Sequence, residues 1–420
     1  MKVLLATFWI IPHIGGVWNY MGQLKKKLES LGHEVDLLGY GENSNYVYIV
    51  NEFRKIGRQQ LLPLINEKLN KQTCPGNYAD PMVKHCETER RIYELGVTYL
   101  GLEKYDVIHT QDVISAACMN QVKPEGPTLV ATLHGCVAHE MRRQLAMSPT
   151  SDMARTYFDE LEYIGATSAE FTIVANQWLK NILTNEFHVP VEQLKVCHYG
   201  YNTENFLKRM KEKPPLQLQS PVERPVDKQV ILYTGRLIEL KGVHHLVSAL
   251  SQLKEMRNDW VCWIVGEGEK QAELQAQSTA LGLEENIVFL GSRDDIPQLL
   301  FNSDIFVLPS LIENQPLSVI EAQIAGKPVI VSDAGGLPEI VEHGVTGLVS
   351  SAGDVEDLCN NLELLLKDEM YRKELGSNAK KWGMTHWSLD KGVQNVLKVY
   401  KSAISKKQRA EENSLTDNLQ

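Results

Sequence analysis

Two glutamates eight residues apart bracket one stretch of this chain, Glu313-Asn314-Gln315-Pro316-Leu317-Ser318-Val319-Ile320-Glu321. Carboxylates accept hydrogen bonds from pairs of hydroxyls. Between them Pro316 is placed to open a helix, since its missing N–H costs nothing at that position. The unpaired N–H groups of Leu317 and Ser318 would then attract an anion, aided by the helix dipole. Two acidic side chains would repel a bare phosphate, so the stretch suits a ligand that is part phosphate and part polyol, as a nucleotide sugar is. Upstream, Arg236 and Lys241 stand five residues apart. A guanidinium grips phosphate oxygens as a fork and an ammonium adds a mobile point charge. Together they could hold a pyrophosphate and stabilise the charge that develops as it leaves.

These residues need a scaffold that brings them to one place, and the hydrophobic pattern supplies it. Ile305–Leu308 reads as a buried strand ending at Pro309-Ser310, followed by a helix over Leu317–Ala325 with Glu321 one turn in. Val230–Thr234 reads as a strand ending at Gly235-Arg236, after which Lys241-Gly242 opens a helix carrying Val243, Leu246, Val247 and Leu250. Strands at Trp260–Val265 (ending at Gly266-Glu267-Gly268), Ile287–Leu290 and Val329–Val331 alternate with further helices. This alternation predicts a parallel sheet covered on both faces. Arg236, Lys241, Glu313 and Glu321 should therefore share the crevice beyond its carboxyl edge.

The first half of the chain repeats the theme. Val3–Trp9 predicts a strand, Gly15-Gly16 a turn, Val17–Leu31 a helix stopped by Gly32, and His33–Leu38 a second strand. The two glycines are not a G-x-G-x-x-G fingerprint: they could be a plain turn, or could let a phosphate or sugar approach the backbone. Tyr105–Thr110, Thr128–Leu133 and Phe171–Ala175 add strands, and His134-Gly135 stands at the end of the second of them, where chemistry would occur. A lone loop histidine is more often structural. Residues 41–104 are polar and less regular, with helical patches near 51–69 and 88–100, and could form an acceptor-binding surface. The Lys25-Lys26-Lys27 run reads as a solvated helix face, with at most peripheral membrane contact. The expected layout is two α/β Rossmann-like domains, 1–205 and 229–384, joined by a proline-rich linker at 206–228. A helix at 385–405 and a disordered tail at 406–420 would follow.

Composition fits this scheme. The 420 residues are 43% hydrophobic, 23% charged and 7% aromatic, which allows two sizeable cores. A formal net charge of −10 excludes general nucleic-acid binding, which rests on basic surfaces. No apolar run approaches the roughly 20 residues of a membrane span. The seven cysteines are scattered and never form Cys-x-x-Cys, so reduced thiols in a cytoplasmic protein without a zinc site are expected.

The order Gly15-Gly16, Gly32-His33-Glu34-Val35, His134, Gly235-Arg236, Lys241-Gly242, Gly266-Glu267-Gly268 and Glu313…Glu321 resembles the retaining nucleotide-sugar glycosyltransferases of family 4, over nearly the whole chain to about residue 400. The resemblance implies the GT-B fold, with two Rossmann-like domains facing across a cleft and a final helix crossing back to the first. It implies that Arg236 and Lys241 bind the donor diphosphate and that Glu321 binds ribose hydroxyls. Glu313 and His134 would then lie by the transferred sugar, with Gly16 close to the phosphate. Leu317 and Ser318 would offer their backbone to phosphate or sugar, Arg293 would lie on the nucleobase loop, and Pro316 and Gly266 would complete the donor site. His134, Glu313, Arg236 and Lys241 would be the residues acting in transfer. No metal or other cofactor is implied. The donor would be a nucleotide sugar, by family habit uridine-linked, and the acceptor a hydroxyl of a glycan, a lipid-linked sugar or a small molecule.

Two departures stand out. Tyr199-Gly200-Tyr201-Asn202 replaces the relatives' Asn-Gly-Val-Asp at a hinge-side position, a departure that leaves the expected chemistry unchanged. The residues after Glu313 lack the usual glycine or aromatic, which leaves the donor sugar open. A nucleotide-sugar epimerase on the same fold, or a non-catalytic GT-B binding module, would be the alternatives. Glycogen-type phosphorylase chemistry lacks a clear lysine for pyridoxal phosphate.

Overall fold

The computed structural model describes residues 1–13, 15–52, 54–71, 80–146, 152–212 and 223–417. The chain divides into two compact units: Met1–Gly200 together with Leu389–Gln420, and Tyr201–Ser388.

In the first unit the described strands are β1 (Lys2–Ile10), β2 (Glu34–Tyr40), β3 (Tyr46–Ile49), β4 (Arg54–Gly57), β5 (Val107–Thr110), β6 (Thr128–Leu133), β7 (Phe171–Val174) and β8 (Leu194–Val196). They form one sheet in the order β4-β3-β2-β1-β5-β6-β7-β8. β2, β1 and β5 through β8 run parallel, with Val3 opposite Val35 on one side and Val107 on the other. Every residue of β6 is buried, as expected of a parallel strand covered on both faces. The chain passes from β1 to β2 on one side and returns to β5 on the other side of β1, which makes the β1/β5 boundary this sheet's topological switch point.

The segment at 41–104 is more regular than its composition suggests. β3 and β4 extend the sheet as an antiparallel hairpin, with Leu38 opposite Ile49 and Val47 opposite Ile56. Val47 and Ile49 are buried while Tyr46 and Tyr48 are half-exposed, a two-residue period within a run too short to stand out. Helices Arg58–Lys71 and Pro81–Leu100 follow, the latter capped by Asp80, whose carboxylate accepts from the Met82 and Val83 N–H groups.

The second unit contains β9 (Gln229–Thr234), β10 (Trp260–Val265), β11 (Ile287–Gly291), β12 (Ile305–Leu308), β13 (Val329–Ser332) and β14 (Gly347–Ser350), all parallel in the order β11-β10-β9-β12-β13-β14. This is the 3-2-1-4-5-6 arrangement of a Rossmann sheet. Trp260, Trp263, Phe306 and Tyr233 are fully buried in its core. The carboxyl ends of β9 and β12 flank the switch point.

The boundaries shift from the expected ones. Thr203–Lys211 is a helix, capped by Asn202 accepting from the Asn205 N–H, and Phe206 is buried in the second core. Residues 201–212 thus belong to the second unit, and residues 213–222 of the expected linker lie outside the described residues. The last helix does not stop at 405: Leu389–Asp417 is continuous, so residues 406–417 of the expected disordered tail are helical. The stretch is rich in helix formers, and Lys406 and Lys407 tie it down by donating to the distant carbonyls of Glu170, Gly126 and Pro127. Residues 418–420 are outside the described set.

Candidate functional site

Arg236 leaves β9 on a braced turn. The buried Tyr233 hydroxyl donates to the Arg236 carbonyl at 2.9 Å, and a Cβ on Gly235 would meet that hydroxyl. The Arg236 side chain projects outward, exposed and without an ion pair among the described residues. Beyond it the chain makes a short turn at Glu239–Lys241 and passes through Gly242 at φ 64°. A Cβ there would land on the Pro309 carbonyl oxygen, and the Leu311 N–H donates to the Leu240 carbonyl at 2.8 Å. The loop after β9 is therefore pressed against the loop after β12. This contact puts the Lys241 ammonium on the Glu313 carboxylate as an ion pair, with the Ser310 hydroxyl donating to the same oxygen at 3.3 Å.

A third strand end closes on the same point. The Glu313 carbonyl accepts from the Gly336 N–H at 2.9 Å, and Gly335, at φ 67°, has no room for a Cβ because the Glu313 backbone occupies it. Loops after β9, β12 and β13 thus converge at the switch point, where open parallel sheets bind ligands. The helix Leu317–Ala325 starts there with Pro316 as its N-cap and no side-chain cap, so its first N–H groups, those of Leu317 and Ser318 included, are left for another acceptor.

Glu321 is half-buried on that helix and accepts a 2.6 Å hydrogen bond from the Tyr201 hydroxyl. Burial pushes its carboxyl up to about 7, while Tyr201 and the more distant Arg209 favour the charged form. The Trp387 indole N–H donates to Oε1 of Gln323, two residues along the same helix, at 2.7 Å.

Two residues expected at the donor site also have structural duties. Gly266, at φ 136°, lacks a side chain because a Cβ would strike the Gly235 carbonyl oxygen, so its glycine is explained by strand-end packing. Arg293 is nearly buried and forks onto Asp295, with Nε–Oδ1 2.8 Å and the second pair 2.7 Å, so its guanidinium is not presented outward.

In the first unit, His134 is held on both ring nitrogens. Nε2 lies 3.1 Å from Gln111 Oε1, an acceptor, and Nδ1 lies 2.6 Å from the Tyr199 hydroxyl. The Gln111 amide N–H₂ donates to the His109 carbonyl, which fixes its oxygen toward His134 and places the proton on Nε2. Burial lowers the imidazole's pKa to about 3. His134 is therefore a neutral ring with a fixed orientation. Tyr20 packs edge-on against it at 5.1 Å. Gly16 opens the helix Gly16–Ser30, and a Cβ there would meet nothing, so packing does not demand glycine at this position.

Tyr199, Tyr201, Tyr233, Gln111 and Ser310 escaped the sequence reading. The hinge-side tetrapeptide did stand out, but as a departure that leaves the chemistry unchanged. In fact Tyr199 holds His134 and Tyr201 holds Glu321, partners 65 and 120 positions away. No local pattern carries such pairings.

Comparison with known proteins agrees with the geometry. The family model for glycosyl transferases group 1 matches residues 217–382, and that for glycosyltransferase family 4 matches residues 14–205. An uncharacterized glycosyltransferase of Methanocaldococcus jannaschii is 26% identical over 96% of this chain and 99% of its own. The UDP-Gal:alpha-D-GlcNAc-diphosphoundecaprenol alpha-1,3-galactosyltransferase of Escherichia coli is 26% identical over 76% of this chain and 80% of its own. Among solved structures, Anabaena HepE in complex with UDP and glucose superposes with a TM-score of 0.66 at 21% identity, over 96% of this chain and 100% of that one. The sucrose-phosphate synthase of Thermosynechococcus elongatus gives 0.71 at 20% identity, over 96% and 99%. With both halves matched by the two family models, and with two Rossmann-like sheets, the chain belongs to the GT-B glycosyltransferases of the family 4 type.

Proposed function

We propose that the protein is a retaining glycosyltransferase that moves a hexosyl unit from a nucleotide diphosphate sugar, by preference uridine-linked, to an acceptor hydroxyl on a glycan, a lipid-linked sugar or a small molecule. The observation that carries this reading is the convergence of Lys241, Glu313 and an uncapped helix start at the switch point of the second sheet. An exposed Arg236 stands on the adjoining loop. In the proposed chemistry Arg236 and the Lys241 ammonium receive the diphosphate, with the Leu317 and Ser318 N–H groups as further donors. These positive groups take the role that a divalent ion plays in other transferases, so no metal is required. Glu313 anchors Lys241 in the free protein and faces the sugar when donor is bound, while Glu321 accepts from the ribose hydroxyls. The leaving diphosphate oxygen assists deprotonation of the acceptor hydroxyl on the same face of the sugar, which retains the anomeric configuration. His134, being neutral, orients and donates through hydrogen bonds and does not shuttle protons. A lipid-linked acceptor is supported by the relative that acts on a diphosphoundecaprenol-linked sugar, and a UDP donor by the neighbour crystallised with UDP and glucose.

A thermal-shift screen with UDP-, GDP- and ADP-sugars tests the reading, because a ligand of the folded state raises the unfolding temperature with ln(1 + [L]/Kd). A rise with at least one class, lost in Arg236→Ala, is expected. No response to any of them would favour the binding-module alternative.

A further inference from the structure

Tyr201 is the first residue of the second unit, and it is engaged at three points within that unit. Its N–H donates to the Trp387 carbonyl at 2.8 Å, its backbone bridges to Ser388, and its hydroxyl donates to Glu321 Oε1 at 2.6 Å. Ser388 is the last residue of the same unit. The two places where the chain enters and leaves this unit are thus paired with each other, and both are tied to one helix: Tyr201 to Glu321 and Trp387 to Gln323. The Tyr201 ring packs edge-on to the buried Phe206, which leaves its hydroxyl little freedom of direction.

From this we infer that Tyr201 is a positioning residue for the donor: its hydroxyl holds one oxygen of the Glu321 carboxylate, favouring its ionised form and leaving its other oxygen to accept from the ribose hydroxyls. The inference rests on the reading of Glu321 as the ribose acceptor. A carboxylate has lone pairs for a tyrosine and a diol at once, and an O–H donor favours its charged form. The titratable and charged groups that act on Glu321 are Tyr201 and Arg209, both of which stabilise the ionised state. Removing the hydroxyl should therefore weaken nucleotide binding near neutrality and move its pH dependence upward, rather than abolish it.

The test is calorimetric titration of the full-length protein with whichever of UDP, GDP and ADP binds best, from pH 5.5 to 9, for wild type, Tyr201→Phe and Glu321→Gln. The 2′,3′-dideoxy form of that nucleotide is titrated in parallel. For wild type, affinity is expected to rise with pH and level off above about 7, where the carboxyl is ionised. Tyr201→Phe should weaken binding about tenfold at pH 7, with the midpoint displaced to higher pH and affinity recovering toward pH 9. The dideoxy nucleotide should bind wild type and Tyr201→Phe alike. Glu321→Gln should be weak and flat across the range. If Tyr201→Phe binds with wild-type affinity and midpoint while Glu321→Gln is weakened, the positioning role is overturned and the ribose reading stands. If Glu321→Gln binds as wild type, or no nucleotide binds, the ribose reading fails and takes this inference with it. Loss of affinity by Tyr201→Phe equally for the ribose and dideoxy forms would mark a general structural defect and also overturn it.

Discussion

Arg236 and Lys241 lie on one loop but are held by different forces, and their substitutions should separate. Arg236 is exposed and makes no ion pair among the described residues, so Arg236→Ala should change unfolding free energy by no more than about 0.5 kcal/mol. Lys241 covers a carboxylate whose side chain is only 12% exposed, and Lys241→Ala strands it at a cost of about 1–3 kcal/mol. Urea unfolding should show this difference, while both variants lose nucleotide affinity. Equal stability losses would mean that the Lys241–Glu313 pair does not form in solution. Glu321 predicts a pH effect. Its carboxyl titrates near 7 in the folded protein, above the ordinary carboxylate range. Its contribution to stability is therefore full below about pH 4.3 and is lost as pH rises toward 7. Glu321→Gln should gain on wild type in urea midpoint between pH 5 and 8, by about 1 kcal/mol after discounting for the partial exposure. A constant gap across that range would contradict a raised carboxyl.

At the scale of elements, the site is made by loops that need missing side chains more than by the charged residues themselves. Gly242 combines a left-handed φ of 64° with a backbone contact to Pro309, and Gly335 does the same against Glu313. Gly242→Ala should both strain the turn and push the β9 loop off the β12 loop, moving Lys241 away from Glu313. The expected outcome is a loss of about 2 kcal/mol or more in thermal unfolding together with loss of nucleotide binding. Gly16→Ala, where a Cβ meets nothing, should leave stability within about 0.5 kcal/mol. Unchanged stability in Gly242→Ala would contradict the pressed-loop geometry. In the sequence Gly242 could be noticed beside Lys241, but its contact with Pro309 could not, since it spans the switch point of a sheet whose strand order is not the chain order.

For the molecule as a whole, the first unit is discontinuous in sequence. Val393, Val396, Tyr400 and Ala403 of the terminal helix are buried, and the Tyr400 hydroxyl lies 2.8 Å from Nδ1 of His109, itself wholly buried with its pKa lowered to about 3. His109 is neutral, with its other nitrogen 2.7 Å from the Thr132 hydroxyl. Residues 1–200 expressed alone should therefore fail to fold cooperatively, whereas the same residues linked to 389–420 should give a single unfolding transition by circular dichroism. Truncation after Ser405 should retain the fold, because what it removes is a polar helical end held by Lys406 and Lys407. A folded 1–200 fragment would show that the terminal helix is an accessory.

The alternation of apolar runs with helical periodicity was enough to place β1, β6, β9, β10 and β12 within a residue or two, because a parallel strand buried on both faces must be apolar throughout. It was also enough to put Lys241 and Glu313 beyond strand ends that meet, and the structure joins the two as an ion pair. What the sequence could not determine was which polar atoms satisfy one another. For His134 the sequence leaves a structural and a functional role open, and it does not show Tyr199 and Gln111 on the two ring nitrogens, nor Asp295 on the fork of Arg293. Whether a side chain is free or already paired is settled by hydrogen-bond geometry between residues far apart in the chain, and that geometry exists only once the sheet order, the loop contacts and the discontinuous first unit have formed.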